Sequence, residues 1–108
     1  MERRLFLAQR LTALVLAPLV LVHLGLVLVA IRGGLTAAEI LGRTQGSAGW
    51  ALFYGVFVGT VAIHAPIGLR NILRETTGLK RWAVDGLALG LGLVLLALGA
   101  RAVWAVVA

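Results

Sequence analysis

The sequence predicts an all-α membrane protein with three transmembrane helices, and three observations carry that prediction. Of its 108 residues, 61% are hydrophobic and 13% charged, whereas about a quarter of an ordinary soluble domain is charged. Mean hydropathy is +1.04. The apolar residues fall into three runs, at 11–31, 50–69 and 83–100, of 21, 20 and 18 residues. About 20 helical residues cross the hydrocarbon core of a bilayer. Nothing substantial is left for a soluble domain, so residues 1–108 read as one membrane-embedded unit.

Charge sets the expected orientation. Net charge is +6, and Arg3, Arg4 and Arg10 precede the first run. Arg70, Arg74, Lys80 and Arg81 join the second run to the third, while Arg32, Arg43 and Arg101 are spread over the other two exposed regions. The positive-inside rule then puts the N-terminus in the cytoplasm and the C-terminus outside. Lipid headgroups suffice as partners for these cations, and nucleic acid is not called for. The chain has no cysteine, which excludes disulfides and cysteine-ligated iron–sulfur or zinc sites within it.

Residues 1–10 form a short basic lead-in, with Gln9-Arg10 at headgroup depth. Alone, Arg10 reads as an interface anchor. The first span exceeds a signal-peptide core and is read as retained. It carries Pro18, which frees a backbone carbonyl, and His23 at about mid-membrane. A histidine there faces other helices, either hydrogen-bonded across an interface or as a ligand.

In the outer loop, Gly33-Gly34 breaks the first helix. Thr36-Ala37-Ala38-Glu39 has capping-box spacing, which predicts a short helix that Gly42 ends. Trp50 and Tyr54 open the second span near the outer interface, as amphipathic rings do. Residues 71–81 are expected to form the cytoplasmic loop, with Gly78 as breaker. Trp82 anchors the third span and Asp85 lies one turn inside. There it suits the helix N-terminus and pairing with Lys80 or Arg81, or else handles protons. Gly86, Gly90 and Ala97 form a small-residue seam for close packing.

The second span holds the segment with most chemistry in it. Thr60, His64 and Gly68 are spaced by four and share a helix face. Space over Gly68 lets a flat ligand such as a haem lie beside the imidazole and be held through its ring nitrogen. Arg70, just past the apolar run, is placed to meet a propionate or phosphate. The competing reading is close helix packing, with His64 hydrogen-bonded to Thr60 or a neighbouring helix.

Depth separates the two histidines. His64 is six residues from Arg70 and His23 thirteen from Arg10, about 9 and 20 Å of helix. A difference of about 10 Å is too much for one iron but suits two stacked haems, each completed by a ligand from another chain. Met1 is no substitute for that second ligand.

Two motifs at these positions resemble the cytochrome b membrane-anchor subunits of succinate dehydrogenase and fumarate reductase. One is Gln9-Arg10-Leu11-Thr12, where the family has His-Arg and a small hydroxyl residue two positions on. The other is His64 followed by Gly68-Leu69-Arg70. The resemblance implies that His64 is an axial ligand of haem b, with Gly68 and Arg70 in its cofactor site. It implies a quinone pocket at Arg10, bordered by Gln9, in place of the family's histidine, and Phe6, in place of a quinone-binding serine. Asn71 and Glu75 also depart from the family's His and Asp. His23 is similar to the first-span histidine of the two-haem branch. An iron–sulfur subunit, a flavoprotein subunit and a second small anchor are the implied partners in a bacterial-type inner (cytoplasmic) membrane. The chain would not be catalytic alone. Two rivals remain: a small structural or accessory membrane protein without haem, and a haem b subunit of an unrelated oxidoreductase.

Overall fold

The computed structural model describes residues 2–108 as four helices: α1 (Glu2–Gly33), α2 (Ala37–Thr44), α3 (Ala48–Thr76) and α4 (Arg81–Val107); Met1 lies outside the described residues. α1, α3 and α4 are the three helices long and apolar enough to cross a membrane. The bundle measures 48 × 23 × 23 Å. Its long dimension matches 32 residues of α1 at about 1.5 Å each. α3 is the central helix, packed most extensively on α4 and also on α1.

Two faces of α3 account for this. Val58, Ala62, Pro66 and Arg70, spaced by four, look toward α4, whereas His64 and Gly68 look toward α1. On α4 the matching stripe is Val84, Ala88, Gly92 and Gly99. Val84 and Ala88 are buried. A Cβ on Gly99 would clash with the Val58 side chain. One on Gly92 would come within 3.1 Å of Pro66 Cγ and 3.3 Å of the Ala62 carbonyl oxygen. That carbonyl is the one Pro66 deprives of its helical donor. Gly92 thus sets a Cα hydrogen against an oxygen the helix leaves short, a weak but recurrent contact at helix interfaces. The seam expected at Gly86 and Gly90 is not there: a Cβ on either would meet open space. Spacing by four marked the wrong glycines, because the face is fixed by what α3 offers opposite.

The capping box forms as expected. Thr36 Oγ1 accepts from Glu39 N at 3.2 Å, and Thr36 N donates to Glu39 Oε2 at 3.1 Å. Thr36 Oγ1 also donates to Glu39 Oε2 at 2.8 Å, and this bond first, then the one from Thr36 N, holds the Glu39 carboxyl below its ordinary pKa. α2 does not stop at Gly42 but runs to Thr44. The reason is tertiary. Thr44 Oγ1 donates to Val106 O at 2.6 Å, Gly46 N to Val107 O at 2.8 Å, and Gln45 Nε2 to Ala108 O at 2.9 Å. These donors cap the carbonyls of Val106 and Val107 at the end of α4 and of Ala108 just beyond it. Gly46 makes the turn at φ 74°, a conformation glycine adopts without strain.

The expected loop at residues 71–81 is shorter in fact. α3 continues to Thr76, where Thr77 N and Oγ1 close on Leu73 O. No breaker falls between Asn71 and Gly78, so residues 71–76 stay helical beyond the apolar run. Only residues 77–80 connect α3 to α4.

Candidate functional site

His64 stands on the α1 face of α3, and its Nδ1 lies 3.0 Å from Thr12 Oγ1 of α1. Thr12 is in turn 2.7 Å from Ala8 O and 3.0 Å from Gln9 O within its own helix. A hydroxyl has one proton and two lone pairs. At 2.7 Å from a carbonyl oxygen that proton must lie between the two oxygens, or lone pairs would face each other. Toward His64 the hydroxyl is therefore an acceptor, and Nδ1 carries the ring proton. Nε2 keeps its lone pair and makes no hydrogen bond among the described residues.

A pocket of about 460 Å³ opens beside this imidazole, lined by Gln9, Arg10, Ala13, Leu14 and His64. Its size falls in the range of small-molecule sites. Gln9 reaches across Gly68: a Cβ there would lie 3.4 Å from Gln9 Nε2. The space that Gly68 leaves is thus filled by an amide from α1. Gln9 Oε1 is buried with no hydrogen-bond partner, and a buried acceptor without a donor calls for one. Arg10 is exposed, with its guanidinium carbon 5.4 Å from the centroid of the Phe6 ring. That cation–π contact between residues four apart steers Arg10 along α1.

Arg70 is not part of this pocket. It is buried on the α4 face, where its Nε donates to Asp85 Oδ1 at 3.0 Å. The carboxylate expected beside Lys80 or Arg81 thus reaches across to α3, and the cation expected to meet a propionate meets a side chain of its own protein. Thr60 does not bond His64 either; its hydroxyl donates to Val56 O at 2.6 Å.

His23 lies apart, packed on α3. Its ring is 5.3 Å from Phe57 and 6.4 Å, edge-on, from Tyr54. Phe57 precedes His64 by seven residues, about 10 Å of helix, so the two imidazoles sit at different depths. His23 borders two cavities. One, of about 320 Å³, is shared with Leu35, Arg43 and Trp50; the other, of about 310 Å³, with Gly99 and Val106. No hydrogen bond to its ring nitrogens occurs among the described residues.

His64, Gly68, Gln9 and Arg10 are therefore brought together, with Phe6 one contact away, while Arg70 and His23 are elsewhere. Thr12 was visible only as part of a motif. Its bond to His64 joins residues 52 apart, and no local pattern announces that pairing. Among the described residues no group of three or more His, Cys, Asp or Glu could hold a metal ion. A lone imidazole with a fixed tautomer suits a site where most metal ligands come from elsewhere, as haem iron receives four from its porphyrin.

A family model described as Succinate dehydrogenase/Fumarate reductase transmembrane subunit matches residues 3–100. No curated protein and no solved structure matches the chain.

Proposed function

Because the chain belongs to the succinate dehydrogenase/fumarate reductase transmembrane-subunit family, we propose that it anchors an iron–sulfur and a flavoprotein subunit to a bacterial-type cytoplasmic membrane and serves electron transfer to quinone there. Its N-terminus would face the cytoplasm, as the arginines and lysine at that end of the bundle suggest. The observation that carries this reading is the imidazole of His64, with Nδ1–H engaged by Thr12 and Nε2 available at a pocket edge. That is the arrangement of a histidine ligand backed by a second-shell acceptor.

In this reading His64 is an axial ligand of haem b, and a second small membrane chain supplies the opposite one. The haem, when bound, takes up and releases single electrons at a potential tuned by its ligands and surroundings. Gln9 and Arg10 serve the quinone. Arg10 donates to a quinone carbonyl and stabilises the negative charge that develops on reduction; the buried Gln9 oxygen accepts from a hydroxyl of the reduced form. Phe6 keeps Arg10 in place. His23 is the candidate ligand of a second haem toward the other membrane face, with both cavities beside it on the chain's own surface.

The test is haem b per flavin in the tagged complex, purified from its native membrane in mild detergent. A ratio near one assigns the haem to His64 and leaves His23 to packing; a ratio near two brings in His23. Flavin without haem keeps the anchor and removes both ligand roles. Neither pigment in an intact, inserted preparation overturns the proposal.

A further inference from the structure

We propose that Thr12 is a positioning residue for metal ligation: its hydroxyl holds His64 in the Nδ1–H tautomer and so reserves Nε2 for iron. This rests on the haem reading of His64, and it adds a residue and a mechanism to it.

Neutral imidazole in water favours the proton on Nε2, and that tautomer offers iron no lone pair on its outer nitrogen. An acceptor on the Nδ1 side reverses the preference before iron arrives and so lowers the cost of ligation. Thr12 Oγ1, at 3.0 Å, is the polar atom in reach. It is itself held in one sense, because its proton is committed to the α1 backbone at 2.7 Å. The hydroxyl cannot rotate to donate to His64 without surrendering that bond. A threonine that was free to turn would accept either tautomer; this one accepts from Nδ1 alone. The arrangement also fixes the ring's direction, since the bond ties α3 to α1 at the mouth of the pocket lined by Gln9, Arg10, Ala13 and Leu14.

An acceptor on Nδ1–H has a second effect. It draws the ring toward imidazolate character, which raises the basicity of Nε2 and favours oxidised over reduced iron. Removing the acceptor should weaken the ligand and raise the haem midpoint potential.

The experiment compares the whole complex carrying Thr12→Val, Thr12→Ala or Thr12→Ser with wild type. Flavin per complex reports assembly, retained haem b reports affinity, and a redox titration followed by the low-spin optical and paramagnetic signals reports the ligand field. Thr12→Val, nearly the same in volume, should retain haem about tenfold less tightly and titrate at a more positive potential. Thr12→Ser should restore both. Val and Ala remove the same hydroxyl at different volumes, so an assembly failure in one leaves the other to read the bond. Assembled Val or Ala complexes with wild-type haem affinity, potential and spectra would overturn the proposal while leaving His64 as ligand. Wild-type complex without haem would overturn the ligand reading and this inference with it.

Discussion

Arg70 and Asp85 close the α3–α4 hairpin with a bond of 3.0 Å between a buried guanidinium and a half-exposed carboxylate, their side chains 8% and 49% accessible. The asymmetry decides what each truncation does. Arg70→Met leaves a carboxylate that can still be solvated, so about 1 kcal/mol should be lost, as for exposed pairs. Asp85→Ala takes one partner from a buried cation, whose desolvation makes it the costlier side to disturb, so this variant should lose more than Arg70→Met. The double variant should lose less than the sum. Thermal unfolding of the complex in detergent measures all three, and equal losses for the two single variants would contradict the burial argument.

The quinone role proposed for Arg10 has a signature that stability effects lack. Arg10→Ala should lower succinate–quinone turnover by about 10²-fold, the size seen when a charge-stabilising donor is removed. Reduction of a soluble dye at the flavoprotein should not change. Loss of both activities together would mean that Arg10 holds the subunits, not the quinone.

Gly99 packs closely on α3, because the place of its missing Cβ is taken by Val58. Gly99→Ala should therefore destabilise by about 1–3 kcal/mol, as overpacking does, and Val58→Ala in the same chain should recover part of it. Gly86→Ala meets open space and should fall within about 0.5 kcal/mol of wild type. A gel-shift or heating assay on the three variants separates the two seams.

Acid should loosen α2. Glu39 has its pKa lowered from 4.5 by its bonds to Thr36. A depressed carboxylate supports the folded form above its ordinary pKa, and that support fades as pH falls through the lowered value. Protection of the amides of residues 38–40, measured against their intrinsic exchange rates at each pH, should thus fall in wild type as pH drops through the lowered carboxyl pKa. Thr36→Ala should be weakly protected already at neutral pH and show little further change.

Local features were readable in the chain and tertiary ones were not. The capping box depends on two residues three apart, and the spans on runs of apolar residues, so both were legible. So was the His64–Gly68 face, which needs only the helical repeat. What fills the space over Gly68 was not, because Gln9 comes from another helix. The partner of Arg70 was hidden for a related reason. Arg70 lies near His64 in sequence but on the face that turns to α4, and the register that brings it to Asp85 is set by Val58 against Gly99 and Pro66 against Gly92. Those contacts are matters of shape between helices, for which the sequence has no periodic sign.

The cap that α2 places on α4 joins two parts of the chain that are synthesised far apart in time. Thr44 and Val106 are 62 residues apart, so α2 leaves the ribosome long before the helix it docks on. Until α4 is in place, the Thr44 hydroxyl has only Ile40 O, at 3.2 Å, to donate to, and the Gln45 amide and Gly46 N–H in the loop after it are left to water. An α4 threaded backwards would bring its amide end to that loop, where donor would face donor. Only the correct third crossing delivers carbonyls there, and closure of the loop then marks a finished topology.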